Sequence, residues 1–246
     1  MFFSFCIITT GQKEDKTKLC IKSIHNNFVS DDNYEIIIVG NNIEKFSNEN
    51  VKLIEDNEFI EFLGARKNIG TQNSKGDVIV HIDDDVLFPP NWVDNFVKFN
   101  EKNPEWQIMG NKFLLPDGGR HWDRATYYPQ HVMVPYDYES DTDTFYQSGG
   151  FCVCKKTLLS QISWKDYLPY YAMFKGFKHN EDVDFSIRLK EAGIKIYFDR
   201  DNTVWHYDHS YKSNGLTCNK KQDQNEVEYN CLEFLMLLNS LKNEKA

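Results

Sequence analysis

A chain of 246 residues with 41% apolar content is long enough to bury one large core, or one domain with an appendage. Its 28 basic and 37 acidic side chains leave a net charge of −9, which argues against a nucleic-acid binder but not against a nucleotide whose charge a metal meets. Aromatic residues reach 15%, pointing either to extended ligand surfaces or to a Phe-rich core.

Met1 to Ile8 has no basic start and no cleavage-like end, so Phe3 to Thr9 reads as a strand and not as part of a signal peptide. Cys20, Ile21, Ile24 and Phe28 form an apolar stripe at helical spacing. Tyr34 to Val39 is a second buried strand that stops at Gly40-Asn41-Asn42, and Val51 to Ile54 is a short third. Phe62 to Ser74 predicts a helix stopped near Gly76, and Val78 to Ile82 a fourth strand. Pro89-Pro90 opens a helix whose Trp92, Phe96 and Phe99 share a core-facing stripe. Strands alternating with helices over short linkers predict an α/β fold with a parallel, doubly wound sheet.

The second half differs. Asn111 to Gln147 is rich in Gly, Pro, Tyr, Asp and His and lacks periodicity, the mark of a functional or mobile segment. Phe151 to Cys154 returns to strand. Asn180 is placed to cap a helix running through Phe185, Leu189 and Ala192 to Gly193, and Ile194 to Phe198 is a last strand. Beyond Asn219, Leu232, Leu235, Met236 and Leu238 predict an amphipathic tail helix, read as a docking helix or, alternatively, as a peripheral membrane or partner contact. No run is long enough to span a bilayer. The six cysteines, at 6, 20, 152, 154, 218 and 231, show no paired zinc-ligand spacing, so the expected setting is reduced and cytoplasmic. If the tail touches a membrane, that setting is its inner face.

Chemistry concentrates at His81-Ile82-Asp83-Asp84-Asp85. An apolar strand ending in three carboxylates delivers acids to the carboxyl edge of a sheet, where open α/β folds bind ligands. A divalent cation would relieve their repulsion and could hold a diphosphate. A solvated acidic turn is the plain alternative. Other pieces fall in order around it: Thr9-Thr10-Gly11, Gly40-Asn41-Asn42, the helix start Gly64-Ala65-Arg66-Lys67-Asn68-Ile69-Gly70, then Asn180-Glu181-Asp182-Val183-Asp184 and Val204-Trp205-His206.

This ordered set resembles the GT-A glycosyltransferases, above all the family 2 type of nucleotide-sugar-dependent enzymes, over roughly residues 3 to 207. The resemblance implies a Rossmann-like, mostly parallel sheet flanked by helices, followed by a C-terminal helical tail. It implies that Asp85 is the metal-binding last acid of a "DxD" motif, with Mn2+ or Mg2+ bridging the donor diphosphate, and that His206 is a further metal ligand, with Asp208 and His209 as rivals. Asp83 and Asp84 match positions at the nucleoside ribose and the metal shell, while Thr9, Asn41 and Arg66 match positions around the base. Asn41 stands where the family commonly has Asp, which leaves the base open, with UDP the expected nucleotide. Asp182 of the "ED" pair matches the general base, and Glu181 a residue that orients either the acceptor or the base. Three acids opening a helix for dipole reasons would look the same locally. Gly149 and Gly150 match a turn that lets backbone approach the donor sugar, although a simple turn before a strand fits equally.

Arg120, His121 and Trp122, with Asp123, Tyr127, Tyr128, Tyr136 and Tyr138, offer aromatic faces and polar groups suited to a sugar acceptor, or else anchor their own loop. The expected protein is a metal-dependent transferase moving a sugar from a nucleoside diphosphate sugar to a hydroxyl of a glycan or lipid-linked glycan, inverting if Asp182 is the base. A retaining route, a sugar-nucleotide nucleotidyltransferase and a non-catalytic glycan-binding relative are the alternatives. A domain of residues 1–218, divided into a nucleotide-binding half 1–110 and an acceptor and catalytic half 111–218, precedes the tail 219–246 in this reading.

Overall fold

The computed structural model describes residues 1–127, 133–140, 143–144, 146–168, 172–174, 177–179, 181–207 and 224–243. Its elements run β1 (Phe3–Thr9), α1 (Glu14–His25), β2 (Tyr34–Gly40), β3 (Lys52–Glu55), α2 (Leu63–Gln72), β4 (Val78–Asp83), β5 (Val86–Leu87), α3 (Trp92–Lys102) and β6 (Ile108–Leu114). They continue through β7 (Ala125–Tyr127), β8 (Met133–Pro135), β9 (Phe151–Lys155), α4 (Lys156–Leu159), β10 (Ala172–Phe174), β11 (Phe177–His179), α5 (Glu181–Glu191), β12 (Ile196–His206) and α6 (Gln224–Asn243).

Eight strands form one sheet in the order β3-β2-β1-β4-β9-β6-β12-β5. The first four pair parallel, as the strand–helix alternation predicts, and so do β6 and β12. The parallel expectation fails at β9, which runs antiparallel to both β4 and β6. β9 enters from the long segment after β6 and not from a crossover helix, so the constraint that keeps βαβ strands parallel does not act on it.

Two further expectations shift. Ile108 to Leu114 is a buried strand, although Gly110, Asn111 and Lys112 break its apolar run and hide it. The last strand extends to His206 and not Phe198, because an irregularity between Asp199 and Thr203 absorbs the polar Arg200-Asp201-Asn202 stretch before pairing with β6 resumes. α5 ends as expected at Gly193, whose φ of +70° suits a glycine and whose neighbour Ile194 donates back to Leu189. The Asn180 cap lies outside the described residues.

The larger core packs α1 and α3 on one face of the sheet. Trp92 is fully buried at its centre, with ring centroids of Phe88 and Phe96 at 5.1 and 5.7 Å and of Phe3, Phe5 and Phe151 within 6.4 Å. A smaller cluster, including Ile37, Ile79, Trp164, Phe185 and Leu189, lies under α2 and α5 on the other. α6 docks through Phe234 and Leu241, with Phe234 against Trp205 and Tyr207, and leaves Leu232, Leu235 and Met236 exposed. Among the described residues no helix is long and apolar enough to cross a membrane.

Trp92→Ala should lower the unfolding free energy by about 3–5 kcal/mol in urea titration, because the surrounding rings cannot close the void. Val97→Ala on the exposed side of α3 should change it by less than about 0.5 kcal/mol.

Candidate active site

The site is assembled at the carboxyl ends of the central strands. β4 delivers Asp83, and the chain then turns through Asp84 and Asp85 into β5, which pairs antiparallel with the end of β12. The pairing His206↔Val86, with the Tyr207 N–H donating to the Asp85 carbonyl at 2.8 Å, carries His206 to the acids. His206 Nε2 lies 3.4 Å from Asp85 Oδ1 and 3.9 Å from Asp83 Oδ2.

Asp83, Asp85 and His206 thus each offer one ligand atom within 4.8 Å of the others. Asp85 is fully buried, and among the described residues its Oδ1 receives no hydrogen bond. Two carboxylates and an imidazole are a donor set that fits a hard or borderline divalent cation. The expected pair Asp85 and His206 is brought together, and the structure adds Asp83 as a third member. Burial alone would lower the His206 pKa, but the charges of Asp85 and Asp83 outweigh it and raise the imidazole above its ordinary value. Burial would likewise raise Asp83, yet His206 and Lys67 hold it below the usual carboxylate range. Asp208 and His209 lie outside the described residues.

Asp84 Oδ2 accepts from the Thr9 hydroxyl at 2.5 Å. Burial pushes its carboxyl up to about 6 against that hydrogen bond. The three positions expected around the base form one connected group. The Arg66 guanidinium, fully buried at the start of α2, donates to the Thr9 carbonyl at 2.8 Å and to Asn41 Oδ1 at 3.2 Å. It also pairs with Asp56 Oδ2 at 2.8 Å. Asp56 is a residue the sequence reading missed. It follows the short β3 with no pattern to mark it, and its Oδ1 caps the Glu58 and Phe59 amides.

Glu181 and Asp182 open α5 and are both buried. Asp182 Oδ2 accepts from the Tyr146 hydroxyl at 2.7 Å and from the Gly149 amide at 3.3 Å. Burial first, and then the neighbouring Glu181 charge, push Asp182 up to about 6. Glu181 Oε1 pairs with Lys67 Nζ at 2.8 Å, while Oε2 is buried without a hydrogen-bond partner among the described residues. Lys67 is itself buried, with its ammonium 4.1 Å from the centre of the Trp164 ring. Lys67 and Tyr146 also escaped the sequence reading, since a basic residue at a helix start and a tyrosine in an irregular stretch carry no periodic signal.

The glycine turn joins these groups. A Cβ on Gly149 would sit 2.7 Å from Glu181 Oε1 and 3.1 Å from the Asp182 Cβ, and one on Gly150 would sit 2.9 Å from Asp83 Oδ2. The room left by the missing side chains is held by Glu181 and Asp182 at Gly149 and by Asp83 at Gly150, so the two groups of acids meet across a single peptide.

Arg120 and His121 are buried, and Trp122 is half-buried. Arg120 is spent inside its segment, on Asp123 at 2.6 Å, the Tyr136 carbonyl at 2.8 Å and the Tyr138 face. His121 stacks on His206 with centroids 5.0 Å apart and rings 11° from parallel. Phe113 meets both imidazoles edge-on. Trp122 packs against the cluster of Ala125, Tyr146 and Val183. Tyr128 lies outside the described residues, as does the side chain of Tyr127.

A family model described as Glycosyl transferase family 2 matches residues 4–163. Glu181, Asp182 and His206 lie beyond that stretch. No curated protein matches the chain in sequence. Among solved structures, TarS of S. aureus is 15% identical with a TM-score of 0.63, over 96% of this chain and 43% of that one. GalNAc-T7 with UDP, GalNAc and Mn2+ is 16% identical with a TM-score of 0.67, over 96% of this chain and 48% of that one. S. aureus TarS 1-349 in complex with UDP-GlcNAc is 14% identical with a TM-score of 0.61, over 98% and 73%. The chain therefore spans less than half the length of the first two, and these likenesses bear on its fold. The family match, in contrast, runs from β1 through the acidic turn and the glycine turn to α4, and the chain belongs to glycosyl transferase family 2.

Proposed function

We infer that the protein transfers a sugar from a nucleoside diphosphate sugar, with UDP as the nucleotide, to a hydroxyl of a glycan or lipid-linked glycan. The observation that carries this reading is the cluster of Asp83, Asp85 and His206, joined through Gly149-Gly150 to the buried Asp182. Structures of its fold include one with UDP, GalNAc and Mn2+ and one with UDP-GlcNAc.

Asp83, Asp85 and His206 hold Mn2+ or Mg2+ in this reading, and the cation supplies Lewis-acid stabilisation of the departing diphosphate. Thr9, Asn41, Arg66 and Asp84 shape the nucleoside end of the site, and the Ser148-Gly149-Gly150 turn borders the donor sugar. Asp182 takes the proton of the acceptor hydroxyl as that oxygen bonds to the anomeric carbon and the nucleoside diphosphate leaves, so the product is inverted. A carboxylate near pKa 6 is a stronger base than an ordinary one and is still ionised at neutral pH. Tyr146 is held protonated by burial and the Asp182 charge, so it acts as a fixed donor orienting Asp182. Residues 111–218 form the acceptor and catalytic half and residues 1–110 the nucleotide-binding half. The five described cysteines are all free thiols, which supports a reducing, cytoplasmic setting.

Thermal-shift measurement tests the donor and the metal together. UDP with Mn2+ should raise the melting temperature, and UDP with excess chelator should not. Asp85→Asn should abolish the shift, while Asp184→Asn, which loses contacts to Lys165 and Arg188, should keep it. An equal shift in chelator would remove the metal from the site.

Asp182→Asn should bind UDP and Mn2+ normally and lose transfer by about 10²–10⁴-fold. In the wild type, a base that must be ionised makes kcat/KM fall as pH drops through about 6. A flat profile from pH 5 to 8, or near-normal transfer by the variant, would point to Glu181 or a retaining route.

Trp122→Ala should raise the acceptor KM several-fold while UDP–Mn2+ affinity and slow donor hydrolysis stay near wild type. Weakened UDP binding would place this segment over the donor.

A further inference from the structure

Lys13 follows β1 as the residue that caps the start of α1. Its ammonium donates to Asp85 Oδ2 at 2.8 Å and lies 3.8 Å from Asp84 Oδ1. It therefore sits on a carboxylate that belongs to the candidate metal cluster. The backbone beneath it is held firmly. The Gly11 amide donates to Thr9 Oγ1 at 2.9 Å, Lys45 donates to the Gly11 carbonyl at 2.5 Å, and the Lys13 carbonyl accepts from the Thr17 amide and hydroxyl at 2.9 and 3.0 Å. The side chain is 38% exposed. A compact charge on a flexible stem can move its head while its backbone stays fixed.

We propose that Lys13 is a resident counter-ion of the acidic turn, which a divalent cation must displace, and that once displaced it binds the diphosphate of the donor. The inference rests on the metal reading of Asp83, Asp85 and His206 given above. Asp85 is fully buried and Asp84 nearly so. Carboxylates in that setting need a positive partner, and the ammonium supplies it. An arriving dication takes over that task and repels the ammonium. The new anion in reach is the diphosphate that the donor brings to the same cation. Metal then promotes donor binding twice, by contact and by releasing Lys13, and the coupling is reciprocal.

Manganese titration followed by the EPR signal of free Mn2+ tests the first half, on wild type, Lys13→Met and Lys18→Met. Lys18 pairs with Glu14 at 3.0 Å on the same helix, so its loss changes net charge equally but away from the turn. Lys13→Met should bind Mn2+ alone about tenfold more tightly and Lys18→Met as wild type. UDP binding by calorimetry at saturating Mn2+ tests the second half: Lys13→Met should bind UDP about tenfold more weakly. Equal or weaker Mn2+ binding by Lys13→Met overturns the counter-ion role, and unchanged UDP affinity overturns the diphosphate role. A wild type that takes up no Mn2+ sinks the metal reading itself, a result distinct from either.

Discussion

Buried carboxylates set the terms for the whole carboxyl edge of the sheet. Asp84, Asp85, Glu181 and Asp182 are all nine-tenths buried or more, and Asp83 stands beside them. An ion taken out of water costs several kcal/mol unless something answers it. Each acid is answered differently: Asp84 by the Thr9 hydroxyl, Glu181 by the Lys67 ammonium, and Asp182 by the Tyr146 hydroxyl and the Gly149 amide. Among the described residues the answer to these acids is incomplete at two oxygens, Glu181 Oε2 and Asp85 Oδ1, and of these Asp85 Oδ1 faces the His206 imidazole at 3.4 Å while its Oδ2 holds Lys13. The proposed cation falls where two carboxylates and an imidazole converge.

α2 couples the two halves. Arg66 and Lys67 are neighbours on its first turns with separate tasks. Arg66 ties together the ends of β1, β2 and β3 through Thr9, Asn41 and Asp56. Lys67 crosses to Glu181 at the start of α5. Breaking a buried pair by removing one partner costs about 3–5 kcal/mol, so neither contact yields easily. A shift of α2 would move the proposed nucleoside pocket and the proposed base together. Gly149 and Gly150 do the same for the proposed base and the candidate metal cluster, because the packing there has no slack for a side chain.

Much of this was legible in the sequence, and the reason is periodicity. β1, β2 and β4 are buried on both faces, so they read as continuous apolar runs, and acids placed directly after such a run mark the sheet edge. His206 could be paired with Asp85 only through the resemblance, since their contact depends on β5 reaching β12, and a two-residue strand has no signal of its own. β6 was obscured by Gly110, Asn111 and Lys112. The roles of Lys13, Asp56, Lys67 and Tyr146 were not legible, because each depends on a partner brought from a distant part of the chain. Lys67 and Glu181 stand 114 residues apart.

The segment after β6 looked like a surface for sugars, and the structure reveals a prior duty. Arg120 and Arg124 spend their guanidinium groups on the carbonyls of Tyr136, Asp137 and Tyr138 and on Asp123, which folds the segment onto itself. So anchored, it presses His121 flat against His206 and packs Trp122 against the cluster that contains Tyr146, the donor to Asp182. The loop therefore backs both His206 and the hydroxyl that holds the proposed base. Its charged residues hold that scaffold, with half-buried Trp122 at its edge, so on the proposed reading acceptor selectivity falls to what the scaffold exposes. If that reading holds, loop variation can change the acceptor without loss of chemistry only where it spares the arginine anchors and the His121 stack.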